Sequence, residues 1–213
     1  MKPLAKIIWQ LPFSYFWMIN YFIPKKTRTI LDIGTGKGEL GSYIKKRRNV
    51  KIHGIDIYKP YIEKLKTEKI YDKVWVADLK IIKITNKYDT ILCSQVLEHL
   101  EKENAIGFIH KCERHATKAV IIGIPNGSVE QEQYDGNVHQ AHQSSWSVGD
   151  LKSLGYNVYG QGAAWLYSKK NSNKFFSTTQ LIVSPLSYFE SILFFLKPSA
   201  AAQLIAIKYI NGK

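Results

Sequence analysis

A β-branched, apolar run, Thr29–Ile33, stops abruptly at three glycines set two apart, Gly34, Gly36 and Gly38, and gives way to a helix-compatible stretch from Glu39 to Arg47. That order predicts a buried strand, a tight glycine turn and a helix N-terminus. Further apolar runs predict strands over Lys51–Ile57, Lys73–Ala77, Tyr88–Ser94, Ala119–Ile124, Tyr156–Tyr159 and Gln203–Tyr209, with helical patterns over Pro60–Thr67 and Glu103–Ala116. Ser147 is placed to cap a short helix through Leu154, ended by Gly155. Strands alternating with helices in this way specify an α/β, doubly wound sheet with ligands at the carboxyl ends of its strands.

Two aromatic stretches stand outside that alternation. From Ile7 to Ile23 there is no charged residue, and Pro12 divides the run into a turn and a helix from about Phe13 to Phe22. Its apolar side chains lie nearly all round the axis, which predicts cover on more than one side. A membrane span needs ~20 apolar residues, and this run is shorter and broken by proline. Aromatic bulk followed by Pro24-Lys25-Lys26 does not fit a signal-peptide cleavage site. The expectation is a lid helix packed on the domain, with a helix lying at a membrane interface as the alternative. The second stretch, within 181–196, falls in an insertion, 163–200, between the last two strands.

Glycines at alternate positions let the backbone take positive φ and approach a ligand closely, beside the unpaired N–H groups of a helix start. A dinucleotide fingerprint needs its third glycine at position 39, where Glu39 stands, so an NAD-dependent oxidoreductase is disfavoured. Instead the chain reads Asp32-x-Gly34-x-Gly36-x-Gly38, and Asp56 ends the second strand, where a carboxylate can accept from two ribose hydroxyls. On these residues the chain resembles the class I S-adenosylmethionine (SAM)-dependent methyltransferases. The resemblance covers roughly residues 28–160 and the last strand. It implies a Rossmann-like, seven-stranded doubly wound sheet with an antiparallel last strand, and SAM as the cofactor. It also implies a cofactor site of Asp32, Gly34, Thr35, Gly36, Gly38, Asp56, Ile57 and Ser94, with Asp78 on the adenine amine and Leu79 against the ring. Residues 1–213 are read as a single methyltransferase domain, 1–27 being its N-terminal lid.

Methyl transfer from a sulfonium is an in-line displacement in which the enzyme mainly aligns the nucleophile; a base is needed only for an acceptor that starts protonated. The segment after the fourth strand, Cys93–Leu100, lacks the Asn/Asp-Pro-Pro-Tyr/Phe sequence of nucleic-acid N-methyltransferases, and no Pro-Cys pair offers a nucleophile for pyrimidine C5. Val96-Leu-Glu-His-Leu100 is similar to the small-molecule branch that includes the ubiquinone-biosynthesis O-methyltransferases. Some of those carry Glu-x-x-Glu-His and bind a divalent metal through it. Here the residues are Gln95-x-x-Glu98-His99, a spacing expected to place all three on one helical face. A neutral amide holds a hard cation less well, so no metal is expected. Glu98 and His99 remain as structural or substrate-adjacent groups. His142, in a His-Gln-Ser-Ser-Trp146 run like that of the small-molecule branch, and His139 are the candidate bases from the loop after strand five. His53, His110 and His115 are read as structural.

The net charge of +13 invites nucleic acid or an anionic membrane as partner. Nearly all of it is lysine, with arginine only at 28, 47, 48 and 114, so the usual bidentate phosphate reader is scarce and nucleic acid is disfavoured. The run Lys45–Arg48 is read as a solvated helix end. Cys93 and Cys112 show no metal spacing and are expected to be reduced thiols in a cytoplasmic protein. The expectation is SAM-dependent O-methylation of a small, partly apolar acceptor, with peripheral membrane contact through 7–23 and 181–196. RNA or protein methylation and a non-catalytic SAM-binding protein are the alternatives. Acceptor, methylated atom and oligomeric state are open at this point.

Overall fold

Alternate side chains of each strand point into two apolar layers, and this alternation organises the molecule. In a computed structural model the described residues are 10–127, 137–163 and 192–210. They run α1 (Tyr15–Phe22), β1 (Thr29–Ile33), α2 (Glu39–Lys45), β2 (Lys51–Asp56), α3 (Lys59–Glu68), β3 (Lys73–Val76), β4 (Tyr88–Ser94), α4 (Lys102–His115), β5 (Ala116–Pro125), α5 (Val148–Ser153), β6 (Asn157–Ala163) and β7 (Ala201–Tyr209). The strands form one sheet in the order β3-β2-β1-β4-β5-β7-β6. β1 to β5 are parallel, and β7 runs antiparallel between β5 and β6. This is the expected doubly wound architecture.

On one face Ile30, Ile52, Leu92, Ala119, Ile121, Ile205 and Ile207 pack with Met18, Ile19 and Phe22 of α1, Leu40 and Ile44 of α2, and Leu65 of α3. On the other, Leu31, Ile33, Ile91, Cys93, Val120, Ile122 and Ile124 pack with Ala105, Phe108, Ile109 and Cys112 of α4 and Leu151 of α5. Both cysteines are buried free thiols. Several boundaries differ from the expectation. β5 starts at Ala116, three residues before Ala119, because Ala116 pairs with Tyr88 across an irregularity in the ladder. β6 runs on to Ala163 because its antiparallel partner β7 extends back to Ala201. Ser147 caps α5 in a reciprocal box with Asp150, as expected.

The aromatic helix is covered on more than one side, as expected: Met18, Ile19 and Phe22 meet the sheet layer, Phe16 packs on Tyr43 of α2 and Phe22 on Phe195, while Tyr21 is 63% exposed and stacked on Trp17. Most of the 163–200 insertion, and residues 7–9, lie outside the described residues, so the membrane-contact expectation meets the structure only at 10–23 and 192–196. Among the described residues no helix is long and apolar enough to cross a membrane.

The basic run that ends α2 is a solvated end only in part: Lys46 and Arg47 are exposed, whereas Arg48 is half-buried against α1. Arg48 donates to Asn20 Oδ1 (2.8 Å), Asn20 O (2.6 Å) and Ile23 O (3.0 Å), closing the carbonyl end of α1. Arg47 stacks on Tyr43, and Lys45 pairs with Asp72. A guanidinium fork is needed to serve carbonyls spread over one helix end. Arg48→Ala is expected to cost ~2 kcal/mol, since charged hydrogen bonds contribute about 1.5–3 each and some are regained from water. That corresponds to a drop of about 4–8 °C in Tm by thermal unfolding, with Arg48→Lys restoring less than half.

Candidate functional site

The chain leaves β1 through three left-handed glycines, Gly34 (φ 71°), Gly36 (φ 51°) and Gly38 (φ 80°). The turn is bonded to the neighbouring strand: Gly34 N–H and Thr35 N–H donate to Ile55 O (2.8 and 3.1 Å), and Gly36 N–H donates to Asp56 Oδ2 (2.8 Å). It opens onto a cavity of about 610 Å³ at the carboxyl ends of the parallel strands. All the sequence-predicted site residues line this cavity except Gly38. Gly38 is instead the N-cap of α2, and a Cβ there would collide with Leu65 and press on Tyr71. Its part is to turn the chain under cover. The Thr35 hydroxyl is buried and has no partner among the described residues.

Two acids flank the turn. Burial pushes the Asp32 carboxyl up to about 7; Tyr71 Oη donates to Asp32 Oδ2 at 2.6 Å, and nearby Asp56 raises it further. Sequence reading missed Tyr71, and its signal is indirect. The ring occupies the space that side chains at Gly41 and Gly54 would need, one glycine inside a helix and one inside a strand. Such glycines mark close approach. Burial also raises Asp56, whose Oδ1 accepts from Tyr58 N–H (2.8 Å). Asp78 lies further along the cavity wall, its Oδ1 accepting from Lys80 N–H (2.9 Å), with Leu79 buried beside it.

Opposite the turn, β4 ends at Ser94 and the chain enters a 3-10 turn, Leu97–His99. The expectation that Gln95, Glu98 and His99 share one helical face fails here. Gln95 is left-handed (φ 55°), before any helix begins, and its amide bonds to Tyr15 and Gln203. His142 takes the third place. Gln143 N–H and Ser144 N–H both donate to Glu98 O (2.7 and 3.1 Å), and Ser144 Oγ donates to Leu97 O (3.2 Å). The loop is thereby stitched to the 3-10 turn. The His99 and His142 rings lie 5.0 Å apart, and His99 Nδ1 is 3.2 Å from Ala141 O.

Ligand atoms of Glu98, His99 and His142 all lie within 4.8 Å of one another. Both Glu98 carboxylate oxygens are buried without a hydrogen-bond partner among the described residues. Burial pushes this carboxyl up to about 8, which the nearby main chain of Glu98 and Val96 offsets only in part. Burial also lowers His99, leaving its imidazole neutral at neutral pH. His139 is not part of the cluster. It is exposed and lies within electrostatic reach of Asp56, on the other side of the cavity.

Residues 31–119 match the model of a family described as a methyltransferase domain. The fold is similar to that of the plantazolicin methyltransferase BpumL in complex with S-adenosylhomocysteine (SAH) and a pentazolic desmethylPZN analog. That likeness has a TM-score of 0.60 and 18% identity, covering 100% of this chain and 92% of that one. It is also similar to the methyltransferase domain of bacterial CtHen1-C (0.58, 14%, 94% and 98%). A third likeness is to magnesium protoporphyrin IX methyltransferase from Synechocystis PCC 6803 with bound SAH (0.54, 14%, 98% and 82%). No curated protein matches the chain in sequence. The domain match over residues 31–119, the sheet order and an acid-flanked glycine cradle together give the chain the fold shared by these methyltransferases.

If Asp32 meets the ammonium of SAM, as the sequence resemblance implies, its raised carboxyl sets a pH dependence for SAM binding. The ligand's ammonium favours the carboxylate, so below about pH 7 binding must first expel the Asp32 proton. SAH affinity is expected to fall by up to about tenfold per pH unit below 7 and to level off above it. Asp32→Asn removes that slope and binds weakly throughout. Calorimetry between pH 5.5 and 8 checks this, and a flat wild-type profile would mean that Asp32 does not meet the ammonium.

Proposed function

We propose that this chain is a class I SAM-dependent methyltransferase that O-methylates a small, partly apolar acceptor carrying an ionisable hydroxyl. The observation that carries the reading is the convergence of Glu98, His99 and His142 in the same cavity as the glycine cradle. A hydroxyl acceptor must lose its proton as the methyl arrives, and a neutral imidazole can take it at neutral pH. Glu98, held protonated by burial, cannot be the base there. The assignment is therefore His142 as base and His99 as its neighbour orienting the acceptor. Asp32, Gly34, Thr35, Gly36, Asp56, Ile57, Asp78, Leu79 and Ser94 hold SAM, with Asp56 on the ribose and Asp78 on the adenine amine.

The apolar character of the acceptor is supported by α1. Phe16 forms part of the cavity wall, while Trp17 and Tyr21 stack on the outer surface. Leu193 (68% exposed) and Leu196 (78% exposed) stand near Phe195, whose ring packs against Phe13 and Phe22. With exposed Lys25, Lys26 and Lys197 close by in sequence, this patch suits an anionic lipid surface from which a greasy acceptor could be drawn.

A second reading keeps the same reaction and gives the cluster a divalent cation. It is favoured by the orphaned Glu98 carboxylate, which faces two imidazoles and lacks any hydrogen-bond partner among the described residues. One carboxylate and two imidazoles suit zinc, manganese or iron better than magnesium. Bound there, such an ion would polarise an acceptor oxygen and favour its deprotonation.

Labelled SAM turned over against a panel of hydrophobic phenols, with the methylated atom located by NMR, tests the reaction. His142→Ala is expected to lower kcat by about 10²–10⁴ while SAH affinity stays within about threefold. Methyl found on nitrogen, or transfer only to RNA or protein, would overturn the reading. Co-sedimentation with phosphatidylserine vesicles should fall at least about fivefold in Tyr21→Glu/Leu193→Glu if the patch meets lipid.

Thermal unfolding separates the metal reading. With its folded carboxyl raised from 4.5 to about 8, Glu98 subtracts stability as pH climbs through that window, because the unfolded chain releases the proton first. Without a metal, Glu98→Gln should melt higher than wild type at pH 8.5, by about 2–4 °C for each ~1 kcal/mol regained, and nearly the same at pH 4.5. With a resident metal, the same change lowers Tm, and EDTA reverses the difference at pH 8.5.

A further inference from the structure

Three non-glycine residues among those described have positive φ: Phe13, Lys69 and Gln95. Lys69 sits at a helix C-cap, an ordinary place for it. Gln95 instead lies at the exit of β4, in the cavity wall. Such a conformation persists only where its surroundings over-determine it. Gln95 is held three ways: its N–H donates to Gly123 O (2.7 Å), and its Nε2 donates to Tyr15 Oη (3.1 Å) and to Gln203 Oε1 (2.9 Å). Both amide hydrogens are thus engaged, which fixes the side chain. The Tyr15 hydroxyl also lies 2.8 Å from Ser94 Oγ, and burial raises its pKa well above the usual tyrosine range. It reaches this position only because Gly123 has no side chain, since a Cβ there would collide with it.

The held residue has consequences on both sides. The next residue, Val96, is driven against Gly34, where its Cγ2 fills the space a Cβ would take. The chain then enters the 3-10 turn that carries Glu98 and His99 to the cavity.

We propose that Tyr15 and Gln95 are positioning residues for methyl transfer, a latch anchored on Gln203 that sets the depth of the cofactor cradle through Val96 and the aim of Glu98 and His99. The proposal rests on SAM binding in this cavity. The test is calorimetric titration of SAH, with thermal unfolding, on wild type, Tyr15→Phe and Gln95→Gly. Glycine accepts φ 55° without strain but cannot be tethered. The latch therefore predicts an SAH affinity loss of about fivefold or more in both variants, with Gln95→Gly melting within about 4 °C of wild type. A merely structural role predicts lowered melting temperatures with affinity unchanged. Affinity within about twofold of wild type in Gln95→Gly overturns the latch, even if Tyr15→Phe fails to fold. No heat from wild type itself would overturn the cofactor assignment, and the latch with it.

Discussion

The structure depends on a backbone constraint at the end of β1. Within five residues the chain takes the left-handed conformation three times and still bonds its amides to β2. A side chain at each of these positions would cost about 1–2 kcal/mol from backbone sterics alone. Only glycine turns the chain so tightly that Gly34 and Thr35 extend the pairing with Ile55 while the next amide reaches Asp56. The parallel register of β1 with β2 then sets Asp32 and Asp56 on either side of one opening.

Closing that opening over acids has an electrostatic consequence. Asp32, Asp56 and Glu98 all have raised carboxyls, with burial the largest cause in each case. Tyr71 eases Asp32 and backbone amides ease Asp56, yet no lysine or arginine pairs with either among the described residues. A cavity of buried, incompletely compensated carboxyls favours a cationic ligand, which restores their charge on binding. A sulfonium nucleoside bearing an ammonium has that character, whereas a pyrophosphate would meet repulsion.

The same sheet has to present a second wall, and it does so by unlike means. At the exit of β4 there is no glycine, and the turn is forced by tethers from α1, β5 and β7 on Gln95. One wall of the cavity is therefore set by local conformational freedom and the other by long-range hydrogen bonds. The aromatic helix becomes part of the cavity through this second wall.

That division also decides what could be read from the chain. The period-two runs at Thr29–Ile33 and Ala119–Ile124, the glycine spacing, Asp32, Asp56 and the Ser147 cap were legible, because each acts through its own backbone or its nearest neighbours. The doubly wound, seven-stranded architecture followed from the resemblance that these residues carry. The sequence alone did not reveal Tyr71 beneath Asp32, Arg48 on the end of α1 or the left-handed Gln95. Nor did it bring His142 rather than Gln95 to Glu98 and His99. Each joins residues at least 25 apart in sequence through hydrogen bonds or a ring contact, and only packing of the sheet with its helices brings such partners within reach.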